Sequence, residues 1–168
     1  SIHTNALPKN ARKAMGVQSY SLCLRTAATN LAVEKRENSV IALEGEAAKK
    51  YDYNPSPESN IMFELMQDHD MKESVNFAKL VQGEMVRTGG RNDMGVLQAN
   101  LAVLRLTYMP SVLLEVGYIS TPAEEQFLMS TSGRQAMAKS IYNAIVRYKA
   151  QQTGRESKLE KPTPDTKD

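Results

Sequence analysis

The sequence has one cysteine, two histidines and no tryptophan in 168 residues. One cysteine excludes an internal disulfide framework, and two histidines leave no Cys/His zinc cluster within the chain. Charge of one sign is also lacking, since 21 Lys and Arg against 19 Asp and Glu leave a formal net charge of +2. With no basic excess to neutralise phosphates, the main argument for a nucleic-acid partner falls away. The apolar runs are short and interrupted, so no segment reads as a membrane span. No signal peptide is visible. The opening Ser1-Ile2-His3 has neither an initiator Met nor a polar lead-in, so the absence of a targeting segment carries little weight.

What is present is an ordinary core. A hydrophobic fraction of 41% is too high for a disordered chain, and the length suits one domain. Val17 to Leu24 alternates as a strand, with Tyr20, Leu22 and Leu24 on one face. A helical stretch follows from about Ala27 to Lys50, closed by the breaker Asn54-Pro55-Ser56-Pro57. Ser59 to Gln67 reads as one helix. Asp70-Met71-Lys72-Glu73 reads as a capping box opening another, whose stripe of Val75, Ala78, Val81 and Met85 faces a core. Gly89-Gly90 ends it. Ala99 to Leu106 and Ser111 to Val116 are further strand candidates. Thr121-Pro122 and Ser132-Gly133 each open a helix. From Gln151 the composition turns polar and charged, which predicts a disordered tail. Strands alternating with long helices predict an α/β fold around a twisted, largely parallel sheet with helices on both faces.

Glu115 is the most informative residue. It interrupts the apolar run Ser111 to Tyr118, of the kind found in buried parallel strands, where a carboxylate is costly unless paired or bound to a metal. Two readings stand open: a functional carboxylate at a strand end, or a rim residue paired with a cation such as Arg105. His3 is either a metal ligand or an exposed histidine near the terminus. His69 lies in the polar stretch Gln67 to Asp70 and reads as solvated. Cys23 reads as a small hydrophobe, with no histidine near it in sequence to activate it. Gly89 to Gly95 is glycine-rich but fits neither the P-loop nor the dinucleotide pattern, and reads as a turn. The nine methionines read as core filler.

Several segments, in order, resemble one family. Ser1-Ile2-His3-Thr4-Asn5-Ala6 is similar to the S-I-H-x-N-A segment of zinc-dependent N-acetylmuramoyl-L-alanine amidases, and Arg36-Glu37-Asn38 to their R-E-N element. Asp93 to Arg105 resembles their D-x-G-V-x-Q-A-x-x-x-V-L-R stretch. Met109 to Pro122 resembles M-P-S-V-L-x-E-x-G-[FY]-I-S-x-P. The resemblance implies a phosphorylase/hydrolase-like amidase fold, lacking its N-terminal part. Residues 1–150 would form the C-terminal portion of the catalytic domain and 151–168 a disordered tail.

It also implies hydrolysis of the amide bond between N-acetylmuramic acid and L-alanine in bacterial peptidoglycan. His3 takes the place of a zinc ligand and Glu115 that of the catalytic glutamate, with Asn5 and Asn100 as candidates for binding substrate. Zinc would polarise the scissile carbonyl and lower the pKa of its bound water, while Glu115 accepts and returns the proton. The family's other zinc ligands precede the S-I-H segment, so they are expected upstream of Ser1. A catalytic zinc needs about three protein ligands, which one imidazole cannot replace. Some relatives carry an inserted helix over the zinc until an activator protein displaces it; Leu43 to Gln82 falls at that place, with Glu44, Glu46 and Glu64 as acids that could reach a metal. The reading favoured over this is an ordinary amphipathic helix pair on the sheet with solvated acids. The implied setting is extracytoplasmic, in the periplasm, in peptidoglycan catabolism and cell division. The competing expectation is a non-catalytic amidase-like module that binds peptidoglycan or regulates.

Overall fold

The computed structural model describes residues 1–7, 13–23, 31–39, 57–105 and 107–154, with side chains described except at 31–32 and 57–68. Four strands, β1 (Ile2–Asn5), β2 (Val17–Leu22), β3 (Asp93–Ala99) and β4 (Leu113–Tyr118), form one sheet in the order β1-β4-β2-β3. The β1/β4 and β2/β3 ladders are parallel, and an antiparallel β2/β4 ladder joins the two pairs. Around the sheet lie α1 (Leu31–Asn38), the long α2 (Pro57–Arg87), the single turn α3 (Ala102–Arg105), α4 (Pro122–Met129) and α5 (Thr131–Gln152). The α/β expectation holds, with helices on both faces.

The alternation of side chains along the strands sorts the core into two layers. Val17, Leu114 and Val116 face Ala78, Val81 and Met85 of α2 and Met137 and Ala144 of α5. Ser19 lies on that face too; its hydroxyl donates to Gln82 Oε1 at 2.9 Å, and Gln82 donates onward to the Val17 carbonyl at 2.8 Å. On the opposite face Tyr20, Leu22 and Leu113 pack with Ala99, Leu101 and Leu104, covered in part by Val33 of α1. β4 is buried at every position, as its apolar run predicts.

Several expectations are corrected. The strand placed at Ala99 to Leu106 lies instead at Asp93–Ala99, and Ala102–Arg105 is helical. β3 is an edge strand whose apolar residues are interrupted by Asp93, Gly95 and Gln98, and only Ala99 is fully buried, so it presents no sustained apolar run to read. α2 runs unbroken through Asp70, so Asp70-Met71-Lys72-Glu73 caps nothing; Ser74 Oγ donates back to the Asp70 carbonyl within the helix. Packing of the continuous stripe against the sheet overrides the local capping signal. Thr121 stands at the N-cap of α4, but its hydroxyl donates to the Ala14 carbonyl rather than serving the helix. α5 begins at Thr131, where Ser130 Oγ accepts from the Gly133 N–H, and it extends past Gln151. Of the methionines, Met85 and Met137 are buried core, whereas Met109 and Met129 are exposed. The expected helix at 40–50, with Glu44 and Glu46, the side chain of Glu64 and the tail at 155–168 lie outside the described residues.

Candidate active site

The site is assembled at the junction of β1, β4 and β2. His3 and Glu115 are register partners across the parallel β1/β4 ladder, and Gln18 is the partner of Glu115 across the β2/β4 ladder. Partners in adjacent strands present their side chains to the same face, here the face covered by α1. Between His3 and Asn5 the register slips, and Asn5 pairs with Tyr118, so β4 fits one more residue than β1 over this stretch. The slip falls at Gly117, whose φ is +154° and where an added Cβ would stand 2.9 Å from Glu124 Oε2. It turns Tyr118 onto the site face, where its hydroxyl reaches Gln18 Oε1 at 3.2 Å. Gln18 Oε1 also accepts from the Tyr20 hydroxyl at 3.3 Å and from Asn5 Nδ2 at 3.4 Å.

α1 supplies the charges that meet the two strand residues. Glu37 Oε2 lies 2.6 Å from His3 Nδ1, and Arg36 Nη2 donates to Glu115 Oε1 at 3.2 Å. Glu115 is therefore paired, but with Arg36 rather than Arg105, and it is buried in the sheet at 1% exposure rather than placed on the rim. Its other oxygen, Oε2, is buried and has no hydrogen-bond partner among the described residues. Burial pushes the Glu115 carboxyl up to about 7; Arg36 opposes this and the neighbouring Glu37 charge adds to it. Burial likewise pushes the Tyr20 hydroxyl up to about 12, and raises that of Tyr118.

The four sequence candidates separate into two groups. His3, Glu115 and Asn5 come together: Asn5 is buried, and its Oδ1 accepts from Arg36 Nη1 at 3.0 Å. Asn100 is tied elsewhere. Its N–H donates to Glu34 Oε1 at 2.8 Å, its carbonyl accepts from Asn38 Nδ2 at 2.8 Å, and its Oδ1 meets Arg105 Nη1 at 3.4 Å. His69 sits on the outer surface of α2, 3.5 Å from Asp70 and 76% exposed. Sequence reasoning assigned no role to Arg36, Glu37 or Gln18. The adjacent opposite charges at 36 and 37 were visible, but only the sheet register shows which strand residues they meet.

The pairing of His3 with Glu37 has the form found behind metal-binding histidines: Nδ1–H donates to a carboxylate, which fixes the tautomer that leaves Nε2 for a metal. Nε2 meets Ser1 Oγ at 2.8 Å, on the more exposed side of the ring. His3 thus fits one corner of a metal site. Among the described residues, no group of three or more His, Cys, Asp or Glu side chains is placed to hold an ion, so these residues do not complete one.

His3 and Glu115 thus stand side by side on one face of a mixed α/β sheet, each held by a residue of α1. The family model described as N-acetylmuramoyl-L-alanine amidase matches residues 1–147, and the chain belongs to this family. It is 30% identical over 148 residues to the N-acetylmuramoyl-L-alanine amidase AmiC of Neisseria meningitidis, covering 88% of this chain and 35% of that protein. Among solved structures, an N-acetylmuramoyl-L-alanine amidase from Clostridium difficile 630 superposes with a TM-score of 0.59 at 22% identity, over 90% of this chain and 57% of that one. The CwlD amidase of Clostridioides difficile, solved in complex with the GerS lipoprotein, gives a TM-score of 0.57 at 19% identity, over 90% of this chain and 53% of that one. The chain thus spans about a third of that curated relative and little more than half of these solved chains.

Proposed function

We propose that the protein hydrolyses the amide bond between N-acetylmuramic acid and L-alanine in peptidoglycan, in the extracytoplasmic cell envelope, the periplasm being the compartment. The observation that carries this reading is the register of His3 and Glu115 on adjacent strands, which puts a held imidazole beside a buried carboxylate with one untied oxygen. Zinc is the implied metal, with His3 as one ligand and the others from outside the described residues; bound there, it supplies Lewis acidity to the scissile carbonyl and to water.

Glu115 acts as general base and then general acid. Its carboxylate accepts a proton from the attacking water and passes it to the leaving amine nitrogen as the C–N bond breaks. A carboxyl raised to about 7 suits both directions near neutral pH. Asn5, buried and tied to Arg36 and Gln18, serves the site by holding Arg36. Asn100, tied up by Glu34, Asn38 and Arg105, serves the site by fixing the loop that packs on α1. An activator protein is a further proposed partner, on the precedent of the relative solved with a lipoprotein.

The test is release of stem peptides from purified peptidoglycan by the full-length protein, together with its metal content. Peptide release with about one zinc per chain, lost on Glu115→Ala, supports the enzyme. A metal-free protein that still binds cell wall supports a non-catalytic binding module instead.

A further inference from the structure

α1 is fixed to the rest of the molecule independently of the site. Asn38 Nδ2 donates to the Asn100 carbonyl, and Asn38 Oδ1 accepts from the Ala102 N–H, each at 2.8 Å. One turn earlier, Glu34 Oε1 accepts from the Asn100 N–H at 2.8 Å. Arg36 therefore leaves the helix from an anchored base. Its guanidinium donates through Nε to Glu37 Oε1 at 2.8 Å, through Nη1 to Asn5 Oδ1 at 3.0 Å and the Ala6 carbonyl at 3.2 Å, and through Nη2 to Glu115 Oε1 at 3.2 Å. The two oxygens of Glu115 are consequently unlike: Oε1 is tied to a cation, while Oε2 is buried without a partner among the described residues.

We propose that Arg36 is a positioning residue for Glu115, tying Oε1 so that Oε2 is the oxygen that exchanges the proton. This rests on Glu115 being the general base of the function proposed above. A cation serving only to offset a buried charge needs no such anchoring. Arg36 is instead held at three other points, by Asn5, Ala6 and Glu37, before it reaches Glu115. An oxygen whose lone pair already accepts from a guanidinium is the poorer base of the two. A lysine at position 36 would keep the charge but lacks the planar fork that spans Asn5, Ala6 and Glu115 together, so Arg36→Lys separates positioning from charge compensation.

The test has a readout that does not depend on turnover. In protein labelled with 13C at the glutamate carboxyl, the difference between each sample and its Glu115→Gln counterpart isolates the Glu115 infrared bands, at a pH where the carboxyl is ionised. The splitting between antisymmetric and symmetric stretches is wide when one oxygen alone accepts a hydrogen bond, and narrows as the two become alike. The full-length wild type shows the wide splitting, and Arg36→Lys narrows it with the amide bands unchanged. Where peptide release is measured, Arg36→Lys lowers kcat roughly 10²-fold while KM stays within about twofold. An Arg36→Lys protein that keeps both splitting and kcat overturns the proposal. Should that variant misfold, Asn5→Ala, which removes one anchor of Arg36 and leaves its charge, must narrow the splitting, and an unchanged splitting counts against us. A wild type that releases no peptide defeats the proposed function, while the splitting still decides what Arg36 does to Glu115.

Discussion

His3 and Glu115 stand opposite each other on neighbouring parallel strands, and consecutive residues of one short helix hold them: Glu37 takes His3 and Arg36 takes Glu115. The backbone of the sheet sets their separation, so neither depends on a loop for its position. Moving α1 would disturb both at once.

Glu37 is expected to matter to metal binding without being required as a ligand. Glu37→Gln removes the carboxylate that orients His3 and should weaken zinc affinity of the full-length protein by about 10- to 100-fold. Competition with a chromogenic chelator measures this. Unchanged affinity would show that His3 needs no such support.

The pH dependence of kcat/KM should report Glu115. A general base must be ionised, and burial raises this carboxyl to about 7 against the opposing pull of Arg36. Activity should fall about tenfold per pH unit below that value and level off above it. A profile flat from mildly acid to mildly alkaline pH would remove Glu115 from the role of base.

Glu84 carries a prediction about stability alone. It is fully buried between α2 and α5, where burial by itself would raise its carboxyl; hydrogen bonds from Arg87 at 2.6 Å, Arg147 at 2.8 Å and Thr88 at 2.7 Å outweigh that and bring it down to about 2. A carboxyl with a folded-state pKa below its ordinary 4.5 stabilises the fold above that pH, and the contribution is lost as pH falls towards 2. Urea midpoints followed from neutral to acid pH should therefore decline in the wild type. Glu84→Gln should be less stable at neutral pH by about 1–3 kcal/mol, because the charge-assisted hydrogen bonds from its two half-exposed arginines are lost, and should show a shallower acid decline.

How much of this was legible in the sequence depends on where each signal resides. β4 and its carboxylate could be read because an acid in an apolar run is conspicuous in one dimension. β3 is hard to read because, at the sheet edge, its few core contacts, Val96 and Leu97, are separated from any longer apolar run by Asp93, Gly95 and Gln98, whereas the more apolar stretch after it buries Leu101, Ala102 and Leu104 in a loop and a single helical turn. The long α2 was divided at Asp70 because a capping box is a local signal, whereas helix continuity follows from packing on the sheet. The partners of His3 and Glu115 could not be read at all: Glu37 lies 34 positions from His3 and Arg36 lies 79 from Glu115, and only the parallel register brings both pairs to one place.

Gly117 is predicted to tolerate no side chain. A Cβ there would lie 2.9 Å from Glu124 Oε2, the oxygen that also accepts from the N–H groups of Gly16 and Tyr118, each at 3.2 Å. Gly117→Ala should cost about 1–3 kcal/mol in denaturant unfolding. It should also lower activity beyond the loss of folded protein, because the slip that turns Tyr118 towards Gln18 lies at this residue. Activity in proportion to the folded fraction would confine Gly117 to a structural role.

The most direct test of the central claim is peptide release from peptidoglycan by full-length protein carrying Glu115→Gln, which keeps the shape of the side chain and removes its basicity. Zinc content and the unfolding transition, measured on the same sample, show whether the site is otherwise intact. The variant should retain its metal and its fold and lose release by roughly 10²- to 10⁴-fold. A folded, metal-loaded variant that releases peptide at the wild-type rate would contradict the assignment of Glu115 as general base.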